Sequence, residues 1–228
     1  MPRKVNIAID GPAGAGKSSV AQEAAAALGY TYIDTGAMYR AVAYRALQAG
    51  FDVTLHAEQI GDLAGTLQFE FRNIDGERRL FVDGEDVSEV IRTPEVGNLS
   101  SPVSAIPVVR ERLVAAQRRM ASDGGTLMEG RDIGTVVLPS AEVKVFLTAS
   151  PEERARRREA QLCEKGIVQG YDKILADITV RDERDSTRAV APLKPAEDSV
   201  IVCTDNMTKD EVVARIVEIA RAAEDAQA

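Results

Sequence analysis

Histidine is nearly absent from this chain: among its 228 residues, His56 is the only one. No serine–histidine–acid triad can be assembled from it. With no serine or carboxylate pattern around it, His56 is expected at the surface or at a helix end. Cysteine is almost as scarce. Cys163 and Cys203 stand alone and far apart, which excludes a disulfide framework or a metal-spaced thiol group and fits a reduced, cytoplasmic setting. No apolar run is long enough to cross a bilayer, and the first strand-like stretch begins too early to leave room for a signal peptide. Internal copies of the kind repeat proteins need are missing too. Basic residues are outnumbered, 28 Lys and Arg against 36 Asp and Glu, for a formal net charge of −8. That balance argues against a binder of nucleic-acid polymers, so any anionic ligand must be drawn by local basic clusters. A hydrophobic share of 45% with 28% charged residues is ordinary for a soluble globular protein. The length suits one domain, or one domain with a substantial insertion.

Against these absences, Gly11-Pro12-Ala13-Gly14-Ala15-Gly16-Lys17-Ser18 satisfies the pattern G-x-x-x-x-G-K-[ST] at every fixed position. It follows the apolar stretch Lys4 to Asp10, read as a buried strand, and precedes the alanine-rich run from Ser19 to Gly29, read as a helix. Strand, glycine loop and helix together are the context this motif requires. Glycine lets the backbone approach phosphate oxygens closely, and the helix N-terminus adds partial positive charge. Lys17, expected to be partly exposed, then reaches the β- and γ-phosphates, and the Ser18 hydroxyl ligates Mg²⁺ together with waters. Gly11 to Ser18, with Ser19 behind them, are the predicted binding positions for a nucleoside triphosphate.

Along the rest of the chain, strand and helix signals alternate. Thr31-Tyr32-Ile33 reads as a short strand ending at Asp34-Thr35-Gly36, followed by a helix from Ala37 to Leu47. Thr126–Met128, Val143–Leu147 and Val200–Cys203 are further strands, with helices over Val108–Ala121, Glu152–Glu164, Tyr171–Arg181 and Asp210–Ala223. Five strands alternating with helices predict a parallel sheet covered on both faces. Ligands bind outside the carboxyl ends of such strands, where the phosphate loop, Asp34-Thr35-Gly36 and Glu129-Gly130-Arg131-Asp132 can converge. Between about 51 and 101 the pattern breaks into a β-hairpin, Leu67–Phe71 and Arg79–Val82 around Asp75-Gly76, expected as a satellite subdomain. The end of the chain, Ala222 to Ala228, reads as a fraying tail.

A regulatory GTPase is disfavoured because no Asn-Lys pair occurs, and Asp62-Leu63-Ala64-Gly65 follows no apolar strand. A motor ATPase needs an apolar strand ending in Asp-Glu, whereas Asp182-Glu183 and Asp210-Glu211 sit in helical, polar surroundings. Small-molecule phosphotransfer requires many guanidiniums around two sets of phosphates, and the arginines cluster accordingly. Ser150 and Glu153 form a capping-box pattern with Pro151 at the first helical position, so a helix starts there. It carries Arg154, Arg157 and Arg158, with Arg154 and Arg158 on one face. A second group runs from Arg181 to Arg188, where Arg181 and Asp185 are spaced to pair. Arg131 follows a buried strand, and Arg40 follows the loop at Asp34. A solvated, salt-bridged helix surface remains the plain alternative for the first two groups.

These segments resemble the cytidylate kinases of the nucleoside monophosphate kinase family. The likeness is carried by Ile9–Ser18, Asp34–Arg40, Asp83–Val87, Glu129–Val137, Arg181–Asp185 and Arg188–Leu193, in order and over nearly the whole chain. The resemblance implies an α/β, three-layer P-loop NTPase fold with a five-stranded parallel sheet, a hairpin-containing monophosphate-binding insertion and a helical lid. Its boundaries fall at about 1–50, 102–149 and 187–228 for the core, 51–101 for the insertion and 150–186 for the lid. It further implies transfer of the γ-phosphoryl of ATP to CMP or dCMP with Mg²⁺ in a cytoplasmic, monomeric enzyme. No membrane or nucleic-acid polymer is implied as a partner. Lys17, Arg131, Arg154, Arg158 and Arg188 would be the catalytic cations. Arg40, Arg131 and Arg188 would hold the acceptor phosphate. Ser101, Arg110 and Asp132 would read the cytosine, and Arg181 and Asp185 would contact the sugar and phosphate region. Thr35 stands where serine is common and keeps the hydroxyl. Glu129 stands where aspartate is common, its metal contact then running through water. A kinase of another small acceptor such as UMP, AMP or a metabolite, or a nucleotide-dependent switch, is the alternative.

Overall fold

The computed structural model describes residues 4–164 and 166–227. Residues 1–3 of the expected core, residue 165 of the expected lid and the last residue of the expected tail lie outside them. In chain order the elements are β1 (Ile7–Asp10), α1 (Lys17–Leu28), β2 (Thr31–Asp34), α2 (Thr35–Gln48), α3 (Ala57–Thr66), β3 (Phe69–Ile74), β4 (Glu77–Val82) and β5 (Glu85–Asp86). Then follow α4 (Pro94–Ala105), α5 (Pro107–Met120), β6 (Thr126–Gly130), β7 (Val143–Thr148), α6 (Pro151–Glu164), α7 (Tyr171–Thr187), β8 (Val200–Cys203) and α8 (Lys209–Asp225).

Five strands form one parallel sheet in the order β2-β6-β1-β7-β8. β1 pairs in parallel with β6 on one side and β7 on the other, and β7 pairs in parallel with β8. β1 is buried along its whole length, as an unalternating apolar strand must be when both faces of its sheet are covered. The connection from β1 runs to β2 on one side of it and that from β6 runs past β1 to β7 on the other, so the carboxyl end of β1 lies at a topological switch point, the usual ligand crevice of such sheets. Val5, Ile7, Ile9, Val145, Leu147 and Val202 pack against Val20, Ala21 and Ala24 of α1 and Val212, Ile216 and Ala220 of α8. The alanines are small enough for α1 to lie close on the sheet. No helix among the described residues is long and apolar enough to cross a membrane.

The chain divides into two compact units, residues 4–32 with 123–227, and Ile33–Ser122. In the first, α6 and α7 share a small core of their own, built from Ala155, Leu162, Ile174 and Ile178. In the second, α2 packs with α4 and α3 with α5, beside a sheet of β3, β4 and β5. This unit is wider than the expected 51–101, because α2 and α5 supply the faces on which α3 and α4 pack. The hairpin forms as expected, with Ile74 opposite Glu77 across Asp75 and Gly76, both at positive φ (52° and 83°), the backbone of a two-residue turn.

Several elements depart from the sequence reading. Asp34-Thr35-Gly36 is not a loop: Asp34 accepts from Ala37 N at 2.9 Å and caps a helix that begins at Thr35. Tyr171–Arg181 was too short a span, since α7 runs on to Thr187, held partly by an ion pair at Asp182 described below. The tail is helical through Asp225, behind a full capping box of Thr208 and Glu211. The Ser150–Glu153 box is only half made. Ser150 Oγ accepts from Glu153 N at 3.3 Å, whereas the Glu153 carboxylate accepts from Arg156 and Arg157 instead of reaching back. His56 does stand at a helix end, before α3, with its ring stacked on Phe51.

Candidate active site

The phosphate loop leaves β1 at Gly11, where the backbone takes φ 149° and a Cβ would sit 1.9 Å from the Leu147 carbonyl oxygen. Only glycine fits there. At Gly14 (φ 79°) a Cβ would press on the Arg154 side chain at 3.3 Å. Lys17 opens α1 and, contrary to the expectation of partial exposure, is only 6% exposed. Its Nζ donates to the Pro12 carbonyl at 2.6 Å, so the lysine spans its own loop. Burial holds its pKa well below the usual lysine value and nearby Arg131 adds to this, while Glu129 and Asp10 oppose it. The Ser18 side chain is exposed at the same helix end. Ser19 donates to the Gly16 carbonyl at 3.0 Å, which makes it a brace of the loop.

Arg154 was expected as a catalytic cation on a lid-helix face shared with Arg158; it is 2% exposed and its guanidinium makes four hydrogen bonds. Nε donates to Ala149 O at 3.0 Å, Nη1 to Ala13 O at 3.0 Å and to Asp182 Oδ1 at 3.0 Å, and Nη2 to Asp182 Oδ2 at 2.5 Å. One side chain therefore ties the phosphate loop, the end of β7 and helix α7. Arg157 is likewise occupied, with Glu153 at 3.0 Å and with both the hydroxyl and carbonyl of Thr204. Arg158 is exposed.

The segment after β6 brings most of the remaining predicted cations of this unit together. β6 extends through Gly130, so Glu129 lies inside the strand, 3% exposed, and accepts from the Tyr32 hydroxyl. Arg131 Nε donates to Asp185 Oδ2 at 3.0 Å and Nη1 to the Gly130 carbonyl at 3.3 Å. Asp185 was expected opposite Arg181; its carboxylate instead reaches across from α7 to Arg131. Asp132, 6% exposed, faces Arg188 Nη2 at 3.6 Å, and Arg188 Nε also donates to Ala191 O. Arg181 is close enough to Lys17 to bear on its charge. Ile133–Val137 then forms a π-helical turn, a rare geometry that concentrates at functional sites. The sequence reading missed Asp10, whose carboxylate accepts from Ile133 N at 2.8 Å and Gly134 N at 2.7 Å. The signal was present: a charge at the carboxyl end of a buried strand, the same argument applied to Glu129.

In the unit Ile33–Ser122, Arg40 Nη2 donates to Asp34 Oδ2 at 3.0 Å, while Arg40 Nε is buried without a partner among the described residues. Thr35 is 4% exposed at the start of α2. Arg110, 5% exposed on α5, lies over the Tyr39 ring at 5.8 Å and donates to Ser104 O at 3.4 Å. Ser101 sits one turn before the end of α4, and its carbonyl accepts from the Ser104 hydroxyl at 2.8 Å.

Comparison with known proteins shows the family. The family described as cytidylate kinase matches residues 7–222. The chain is 54% identical over 215 residues to the cytidylate kinase of Pelotomaculum thermopropionicum, covering 93% of this chain and 94% of that one. It is 51% identical over 220 residues to the cytidylate kinase of Geobacillus thermodenitrificans, covering 96% and 97%. Among solved structures, an uncharacterized protein from Eubacterium ventriosum shares the fold, with a TM-score of 0.54, 11% identity and coverage of 96% and 99%. With a phosphate loop, an arginine cluster beyond β6 and a family match spanning nearly its whole length, the chain belongs to the cytidylate kinase family.

Proposed function

We propose that this protein transfers the γ-phosphoryl group of ATP to CMP or dCMP, giving CDP or dCDP and ADP. The observation that carries this is the grouping, in one compact unit, of a phosphate loop with Arg131, Asp132, Asp185 and Arg188 just beyond the neighbouring strand. The acceptor oxygen of a nucleoside monophosphate is already anionic, so little proton chemistry is needed. Catalysis is positioning plus charge stabilisation. Lys17 contacts the β- and γ-phosphates, exchanging the Pro12 carbonyl for phosphate oxygens, and the backbone N–H groups from Ala13 to Ser18 cradle them. Arg131 and Arg188, today paired with Asp185 and Asp132, turn part of their fork to the acceptor phosphate.

Mg²⁺ fits these residues. The described residues hold no cluster of three or more His, Cys, Asp or Glu that could hold a metal, so they offer no all-protein cage. Mg²⁺ commonly takes few protein oxygens and completes its shell with phosphates and water. Ser18 Oγ, exposed, would hold it directly and buried Glu129 through water. When bound, the ion neutralises charge on the phosphates.

The base is read by donor and acceptor type. Asp132 accepts from the exocyclic amine of cytosine, Arg110 donates to its ring nitrogen or carbonyl, and Ser101 is assigned to the same base. Arg40, whose Nε has no partner among the described residues, serves the acceptor phosphate, with Thr35 supplying a hydroxyl. Arg181 and Asp185 serve the sugar and phosphate region. Helices α6 and α7 act as the lid and exclude water. In it Arg158 is the arginine able to reach the transferring group, and Arg154 holds the lid's base. We read the enzyme as a cytoplasmic monomer. Coupled ADP release measured with CMP, dCMP, UMP and AMP tests the proposal. Turnover with the two cytidine nucleotides far above the others supports it. Preference for AMP or UMP, or ADP release independent of acceptor, rejects it.

A further inference from the structure

Asp10 is a buried carboxylate that no step above uses. It ends β1, directly before Gly11, and its two oxygens accept from two successive backbone N–H groups, Ile133 at 2.8 Å and Gly134 at 2.7 Å. Those N–H groups open the π-helical turn Ile133–Val137, whose ladder runs from Val137 N to Asp132 O at 3.1 Å and from Leu138 N to Ile133 O at 2.7 Å. The first N–H groups of a helical turn have no partner inside it, so here a side chain from another strand caps them. The residues immediately before the cap are Arg131 and Asp132.

From this juxtaposition we propose that Asp10 is a positioning residue, which fixes the Arg131–Asp132 segment against the root of the phosphate loop. It thereby sets the acceptor-binding groups relative to the nucleotide-binding ones. The proposal rests on the reading of Arg131 and Asp132 as acceptor-binding residues. Burial opposes its charge most strongly, and the two backbone N–H donors favour it. Lys17 draws it toward ionisation, Asp132 opposes it, and the Lys144 stem flanks Gly134. A carboxylate is the side chain suited to the task, because it offers two acceptors to two parallel N–H donors. Asparagine offers one acceptor and turns an N–H against the other donor.

Gly134 gives an independent handle on the same junction. A Cβ there would meet the Lys144 side chain at 3.2 Å and Asp10 Oδ2 at 3.4 Å, so Gly134→Ala crowds the cap while leaving Asp10 in place. The experiment is calorimetric titration of the wild type, Asp10→Asn and Gly134→Ala with CMP and, separately, with ADP, alongside thermal unfolding. Asp10→Asn is expected to weaken CMP roughly tenfold or more with ADP affinity little changed, and Gly134→Ala to show the same pattern more weakly. A purely structural role lowers the melting temperature and either spares both affinities or weakens both together, and either result overturns the proposal. Should Asp10→Asn fail to fold, Gly134→Ala decides: unchanged CMP affinity, or equal loss for CMP and ADP, overturns it. If the wild type binds ADP but not CMP, the acceptor reading fails and this proposal falls with it. If it binds CMP and both variants do so equally well, the proposal alone fails.

Discussion

Lys17 and Asp10 show how burial sets the chemistry of single residues in this site. Burial raises the Asp10 pKa from 3.8 to about 6, although the two backbone N–H bonds pull it down. The folded protein therefore holds a proton on Asp10 between roughly pH 4 and 6 that the unfolded chain has released, and linkage makes stability fall as pH rises through that window. Relative to Asp10→Asn, the wild type should lose on the order of 2–3 kcal/mol between pH 4 and pH 6.5 and stay level above it. Denaturant titrations of both proteins across that range measure the difference, and a difference that grows in the wild type's favour with rising pH would show that Asp10 ionises easily. Lys17 is buried with its charge directed at a carbonyl, a costly arrangement that phosphate oxygens relieve. Lys17→Ala should cut phosphoryl transfer by several kcal/mol of transition-state stabilisation, on the scale of other preorganised charges. Because burying the charge costs stability, its melting temperature should not drop. Steady-state kinetics with a melting curve checks both halves, and near-normal turnover would remove Lys17 from the mechanism.

At the scale of elements, the lid arginines divide by burial. Arg154 and Arg158 share a helix face by spacing, yet Arg154 meets Asp182 on the next helix and Arg158 does not. That distinction depends on a tertiary partner 28 residues away, so no reading of α6 alone could supply it. Arg154→Gln leaves Asp182 without its Arg154 partner and should cost about 2–3 kcal/mol, less than a fully buried pair because Asp182 is partly exposed. Arg158→Gln should leave the melting temperature unchanged and lower kcat more than acceptor affinity. If Arg158→Gln retains full kcat, the transferring phosphate is served by another arginine.

The same contrast explains what the sequence made legible. β1, α1, β7 and the hairpin were readable because apolar runs, a glycine motif and an Asp-Gly turn specify them locally. α3 and α4 were not. α3 carries Gly61 and Gly65, and α4 holds Gly97 and Pro102, residues that mask a helical pattern. α4 did offer a start signal in Thr93, which accepts from Val96 N, followed by Pro94 at the first position. The π turn was hidden altogether, since its cap comes from Asp10, more than a hundred residues earlier. Residues of the phosphate loop were legible one by one because backbone geometry fixes their roles. The partners of Arg131 and Asp132 were not, because Asp185 and Arg188 come from α7 and the segment after it.

For the molecule as a whole, a net charge of −8 gives no general attraction for anionic substrates, so selectivity must arise from the local arginines and the groups that read the base. Cytosine and uracil differ where Asp132 is assigned to act: cytosine presents an amine, uracil a carbonyl that would face the carboxylate with no proton between them. A site built around such a bond rejects the analogue lacking it by roughly 10⁴ or more. The most direct measurement is therefore the ratio of kcat/KM for CMP to that for UMP, in the wild type and in Asp132→Ala. A large ratio in the wild type that narrows in the variant, because CMP use falls more than UMP use, is the predicted result. A wild-type ratio near one, or a ratio left unchanged while both rates fall together, would contradict the assignment of this chain as a cytosine-reading kinase with Asp132 at the base.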